Sequence, residues 1–275
     1  MILPSILNRV CCMGKSAMEN SIIRKDEGLV STIFLNRPEK RNALNADALF
    51  GFGDAVRKIE KDGRSRVIVI RGAGDKVFSS GVDFSEGQAA FPRVIKGLEH
   101  CLDSLINCSL PIISMIYGPA IGAGLDIAVI SDFRIAAEDA KFSAPLVRLG
   151  RTYYYTAIER LTRLIGLAAA KEILLTGRLI NSERAIKLGL VNQVVGHDEL
   201  ESVALSLANE IAEETAPLAV KVTKLTIKKL FEETVLDPSL EKELGRFVDE
   251  INRSEDAKEG VKAKMEKRKP EFKGI

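Results

Sequence analysis

Two short uncharged runs constrain the fold most: Val67–Ile70 (VIVI) and Ile112–Ile116 (IISMI), each followed by a glycine-bearing turn. A strand with one wet face alternates apolar and polar residues, whereas a continuous apolar run marks a strand covered on both faces. Between the two runs lies Phe91–Ile106, with Val94, Leu98, Leu102 and Leu105 in helical phase. The same alternation extends both ways. Leu29–Leu35 (LVSTIFL) reads as a strand stopped by Asn36-Arg37-Pro38, and Asn45–Lys61 reads as a helix with Leu49, Phe52, Val56 and Ile59 on one face. An apolar helix is expected near Leu125–Ile130, and short strands at Phe133–Ala136 and Val191–Val195. Strand, helix, strand is the pattern of right-handed crossovers, so an α/β fold is predicted.

From His197 the pattern becomes helical: Leu200, Val203, Leu207 and Ile211, then Val220 to Phe231, then Leu240 to Ile251, then the highly charged Asp256–Lys269. Three parts are expected: an N-terminal extension (1–20), an α/β core (21–196) and a C-terminal helical region (197–275). A helical region without a broad core of its own usually packs on a neighbour, which points to an oligomer.

Composition narrows the partners. Forty Lys+Arg against 38 Asp+Glu leave a net charge of +2, which gives no reason to expect nucleic acid. Trp is absent and aromatics are 5%, so no platform for stacked bases is expected. Cys11, Cys12, Cys101 and Cys108 lack zinc-ligand spacing, and with His100 and His197 as the only histidines no metal site is predicted. Reduced thiols fit a cytoplasmic chain. Ser104–Leu125 has no charged residue, but its Pro111, Gly118, Pro119, Gly122 and Gly124 fit a strand and a turn, not a bilayer span. Residues 1–17, with Arg9 and Lys15 and no acid, read as a weak targeting peptide or, favoured by the proline in the short apolar run, as an upstream extension with Met18 a natural start.

No P-loop, GxGxxG fingerprint or GxSxG elbow is present. His100 sits in a helical pattern and His197 in a polar turn, where each reads as structural or solvated. Two stretches stand out: Val77-Phe-Ser-Ser-Gly-Val-Asp-Phe84 and Gly118-Pro-Ala-Ile-Gly-Ala-Gly-Leu-Asp126. Each puts glycine at the carboxyl end of a buried strand, where α/β folds place ligands. Either both are only tight turns, or side by side they aim two N–H donors at one oxygen, an oxyanion hole.

The chain resembles the crotonase superfamily, the enoyl-CoA hydratases and isomerases, over nearly its whole length from about Ile22. The resemblance rests on Leu35-Asn-Arg-Pro-Glu-Lys-Arg-Asn-Ala-Leu-Asn45, Phe78-Ser-Ser-Gly-Val-Asp-Phe84 and Gly118–Asp126 with Ser131-Asp132. It continues through Phe142-Ser-Ala-Pro145, Leu149-Gly150, Leu175-Thr-Gly-Arg178, Ala185-Ile-Lys-Leu-Gly-Leu-Val-Asn192 and Glu266-Lys-Arg-Lys-Pro-Glu-Phe272. It implies a spiral of ββα units with a C-terminal helical trimerisation region, giving a homotrimer or a dimer of trimers. It implies an acyl-CoA thioester substrate and no other cofactor, coenzyme A being part of the substrate. By the resemblance, the thioester oxygen is held by the N–H groups of Val82 and Ala123, and Ser80, Gly81, Asp83 and Gly122 of the same two turns contact the coenzyme A thioester. The segment Lys40-Arg41-Asn42-Ala43-Leu44 is similar to the family's coenzyme A contact, with backbone groups at Ala43 and charge at Lys40 or Arg41.

The chain departs from the hydratases at both catalytic carboxylates. Aspartate, Asp126, takes the first glutamate's place, with a reach shorter by one C–C bond, about 1.5 Å. Dienoyl-CoA isomerases of the family also use aspartate there. Leu146 takes the second place and carries no proton. Eight residues further on, where those isomerases have an acid, stands Tyr154, inside Tyr153-Tyr154-Tyr155. A tyrosine there acts as a proton donor or lines the pocket. Arg148 and Arg151 are structural or meet a substrate carboxylate. Three functions follow: a double-bond isomerase with Asp126 as the sole base, a hydratase or lyase in which Asp126 positions water, or a non-catalytic acyl-CoA-binding scaffold.

Overall fold

A computed structural model describes residues 21–85, 87–232 and 252–268, with single positions 242, 246, 249 and 270. The extension 1–20, the predicted helix at 240–251 and Cys11, Cys12 and Phe272 lie outside the described residues, except for positions 242, 246 and 249.

Six strands form the main sheet in the order β1 (Ile22–Glu27), β2 (Val30–Leu35), β3 (Val67–Gly72), β4 (Ile112–Ile116), β6 (Phe133–Ala137), β9 (Gln193–Val195). Only the β1–β2 hairpin is antiparallel; β2 to β9 run parallel. A second sheet holds β5 (Pro119–Ile121), β7 (Lys141–Ser143) and β8 (Ile180–Asn181). The chain therefore coils: a main-sheet strand, a small-sheet strand, then a helix. One coil is β4, β5 and α3 (Ala123–Ile130); the next is β6, β7 and α4 (Tyr155–Thr176). In the coil before them, β3 leads to α2 (Phe91–Ile106), and the second strand shrinks to a bridge between Ser79 and Ala120.

The double coverage predicted from VIVI is realised residue by residue. Ile68 and Ile70 pack with Leu49, Phe52, Val56 and Ile59 of α1 (Ala46–Asp62). Val67 and Val69 point the other way, with Ile113, Met115 and Ile135, toward α6 (Leu200–Glu214). Each such side chain contributes about 1.5–3 kcal/mol when fully buried. Helix α6 meets the sheet through Leu200, Ala204, Ala208 and Ala212, all buried. The helical pattern starts after the 3₁₀ turn His197–Glu199, and α6 closes the second face of the core sheet.

Helix α1 starts where Asn45 Oδ1 accepts a hydrogen bond from the Ala48 amide at 3.0 Å, and it stops at Gly63, whose φ of +66° continues no helix. Helix α5 (Ser182–Lys187) leads to β9, and α7 (Pro217–Glu232) follows α6. A last helix, α8 (Glu255–Met265), is capped by Ser254 and packs back on the 3₁₀ turn Pro145–Leu149. Gly260 lies on the Leu149 backbone and Gly150 on that of Asp256, so closely that neither place has room for a Cβ. No described helix is long and apolar enough to cross a membrane.

Candidate active site

The two glycine turns lie against each other. A Cβ on Gly81 would stand 2.7 Å from the Ile121 carbonyl oxygen and 3.3 Å from the Ala123 nitrogen. Gly81 has a φ of +87°, a region open to glycine at little cost. The bridge from Leu44 to Val82 holds the first turn: Leu44 N donates to Gly81 O at 2.8 Å and Asp83 N to Leu44 O at 2.9 Å. Ser79 anchors it from below, donating through Oγ to Asn42 O and accepting from Gly81 N. In the second turn Gly122 N donates to Ser143 O and Asp126 N to Gly122 O, both at 3.0 Å. The amides of Gly81, Asp83 and Gly122 beside Val82 and Ala123 thus have named partners, whereas among the described residues these two donate in no backbone bond outside helices and strands. Ala123 is the first residue of α3, where helix amides have no partner within the helix.

Asp126 lies in the first turn of α3 with its side chain 11% exposed. Its two oxygens face Arg160 of α4, Nη2 reaching both at 2.9 Å and Nε reaching Oδ1 at 3.2 Å. Burial pushes this carboxyl up, the guanidinium pulls it down, and the balance stays above the usual carboxylate value. Nothing near Asp126 in the sequence signals Arg160. The pair exists because α3 and α4 pack together.

Of the three tyrosines, Tyr153 faces the turns. Its hydroxyl lies 3.8 Å from where a Gly122 Cβ would be, and it is buried without a hydrogen bond of ordinary geometry. Burial pushes this phenol up and the Asp126 charge pushes it further, while the nearby Leu146 backbone favours the ionised form less strongly. Tyr154 is the N-cap residue of α4, and its charged neighbours are Asp249 and Glu99. Burial is the main cause that raises its phenol. The structure therefore places Tyr153, not Tyr154, beside Asp126. Leu146 sits half-buried in the 3₁₀ turn.

The residues matched to coenzyme A contacts divide into two sets. Lys40 and Arg41 are exposed at the end of the turn Pro38–Lys40; Ser80 N donates to Arg41 O at 3.0 Å and Ser80 Oγ to Lys40 O at 3.5 Å. Ala43 offers less than expected, since its N–H donates to Lys40 O and its carbonyl accepts from Arg37 Nη1 at 2.8 Å. Asp83 turns inward, against the expectation of a ligand contact. It accepts from Arg37 at 2.8 Å and from Ser85 N at 2.9 Å. Burial alone would raise its carboxyl, but the bonds from Ser85 and Arg37 outweigh it and hold the group below the usual value. Its geometry is that of a clamp under Val82.

Both histidines carry structural contacts. His100 Nε2 lies 2.8 Å from Asp54, and the His197 ring is tilted at 54° against Tyr117, near Asp139. Neither approaches the paired turns through any contact above.

Comparison with known proteins agrees with this architecture. The sequence model of the family described as enoyl-CoA hydratase/isomerase matches residues 25–275. The short-chain-enoyl-CoA hydratase of Clostridium acetobutylicum is 35% identical over 258 residues, covering 92% of this chain and 97% of that one. The carnitinyl-CoA dehydratase of Salmonella arizonae is 34% identical over 267 residues, covering 94% and 100%. Among solved structures, methylmalonyl-CoA decarboxylase in complex with 2-nitronate-propionyl-CoA superposes with a TM-score of 0.85 at 32% identity, covering 92% of this chain and 98% of that one. The chain belongs to the enoyl-CoA hydratase/isomerase family, the crotonase superfamily, in a version with aspartate at 126 and leucine at 146.

Proposed function

We propose that the protein adds water reversibly to a 2-enoyl-CoA thioester through an enolate. The observation that carries this reading is the apposition of the two glycine turns beside Asp126 and the Tyr153 hydroxyl. Water bonds to the β-carbon and gives its proton to Asp126. The double-bond electrons move onto the thioester oxygen, where the Val82 and Ala123 amides meet the charge. Tyr153 then gives a proton to the α-carbon and regains one from Asp126, directly or through water, so both groups return to their starting states. Its raised pKa keeps it protonated, as a donor must be, and the raised value of Asp126 makes that carboxylate a better base. Lys40 and Arg41, exposed beside Ser80, supply charge for the coenzyme A phosphates. The assembled enzyme in this reading is a cytoplasmic homotrimer or dimer of trimers, and exposed Leu218, Val222, Leu225 and Ile227 on α7 are surface that another copy would cover.

A second reading is decarboxylation of a 2-carboxyacyl thioester. It is favoured by the Arg160 pair on Asp126 and by Leu146, because this route needs no base at the start. The bond to the carboxyl carbon breaks, CO₂ leaves, and its electron pair forms the same enolate, which takes a proton at the α-carbon from water. The structural likeness to methylmalonyl-CoA decarboxylase supports it.

Mass spectrometry of 2-enoyl-, 3-enoyl- and 2-carboxyacyl-CoA thioesters incubated in D₂O separates these. A product heavier by one water supports hydration, and loss of CO₂ supports the second reading. Deuterium on carbon without added water means double-bond isomerisation. No change in any thioester, with binding retained, means a scaffold.

Arg160→Gln tests the role of the pair on Asp126. Removing a guanidinium beside a carboxylate raises its pKa by about 1–3 units. A base must be ionised, so its activity rises with pH through that pKa. The acid limb of kcat/KM should therefore move to higher pH, with the loss greatest on the acid side. An unmoved limb would show that Asp126 is not the titrating base.

A further inference from the structure

A cavity of about 400 Å³ opens beside Asp83 and Phe84, directly after Val82, and is roofed by α8. Its walls are mostly apolar: Phe84, Phe91, Val94, Val261 and Met265. Arg151 also lines it. This residue is 8% exposed, and its Nε and Nη1 are buried with no hydrogen-bond partner among the described residues. The guanidinium lies 4.3 Å from the centre of the Phe91 ring, which holds it in place but accepts none of its N–H groups in their plane. Among the described residues the two acids at the cavity are engaged elsewhere, Asp83 with Arg37 and Glu266 with Arg268. A buried guanidinium with idle donors in an apolar chamber is costly to fold around unless an anion completes it. The chamber starts next to a turn that would hold the thioester, so its natural occupant is the far end of the acyl chain.

We infer that Arg151 is a specificity-determining residue that receives a carboxylate at the distal end of the acyl group, so that the substrates are monothioesters of dicarboxylic acids. This rests on the acyl-thioester reading above. Lys262, at the cavity mouth, adds to the attraction for an anion. Arg148, the other arginine of this loop, is exposed and donates to the Thr176 carbonyl, so the two arginines are not equivalent.

Calorimetric binding of two unreactive thioesters, pentanoyl-CoA and 4-carboxybutanoyl-CoA, tests the inference without any turnover. They share chain length and differ only in the terminal methyl or carboxylate. The full chain should bind the carboxylate form tighter by about tenfold or more, the worth of a charge-assisted hydrogen bond. Arg151→Met should abolish or invert that preference, and Arg151→Lys should keep part of it. Equal binding of the two thioesters by the unaltered protein overturns the inference, as does a preference that survives in Arg151→Met. If Arg151→Met does not fold, the unaltered protein and Arg151→Lys still decide. If neither thioester binds, the acyl-thioester reading itself fails, which is a different result from equal binding.

Discussion

Asp126→Asn should lower kcat by about 10²–10⁴-fold, the usual contribution of one positioned acid–base group, with thioester binding changed far less. The substitution keeps the side chain's size and leaves an amide oxygen that still accepts from Arg160, so the α3–α4 contact is preserved. What is lost is the ability to take a proton. Steady-state rates at saturating thioester, with binding measured on an unreactive analogue, separate the two effects. A scaffold has no turnover to lose, and a decarboxylase would retain more activity because its first step removes no proton. A drop of less than tenfold would move the proton-transfer role from Asp126 to Tyr153, whose hydroxyl lies against the second turn.

Gly81→Ala should cost about 10²–10³ in kcat, the size of losing one oxyanion donor, together with a visible loss of stability. Two causes add. An L-residue at a φ of +87° is strained by about 1–2 kcal/mol. The new methyl would also lie 2.7 Å from the Ile121 carbonyl oxygen, so the two turns must separate and the Val82 amide leaves its place opposite that of Ala123. Gly74→Ala is the matched control. Its φ is +76°, but a Cβ there meets nothing within 4 Å. It should show the conformational penalty in thermal denaturation and keep its activity. If both variants lose activity equally, the effect is general destabilisation and the turns hold no oxyanion.

Much of the fold is legible in the chain because burial leaves a period. Val67–Ile70 and Ile112–Ile116 announce strands covered on both faces, and the phased residues of α1 and α2 announce their helices. Helix α4, the longest, leaves no such mark. Apolar residues run around it, with Leu167 and Leu175 exposed, and Gly166 interrupts it with a φ of +77°. The strand β1 is also silent, being mostly exposed and polar. At the site, the glycines and Asp126 are readable because turn geometry demands particular residues. Which of three consecutive tyrosines faces inward depends on where α4 begins, a tertiary fact, so Tyr153 and Tyr154 exchange roles between sequence and structure. Arg160 and Arg151 look alike in the sequence. Only packing shows one paired with a carboxylate and the other buried with donors to spare.

The coiled path of the chain also decides when the site can exist. The Val82 amide is set by a bridge to Leu44, Ser79 by a bridge to Ala120, and Gly122 by a bond to Ser143 one coil further on. Each contact joins segments far apart in sequence, and contacts of that kind form late and slowly in folding. During synthesis, a nascent chain that has not yet delivered β7 has both glycine turns but lacks the carbonyl that orients the second. The apposition of the two turns is thus a product of completed winding and needs a chain folded through β7.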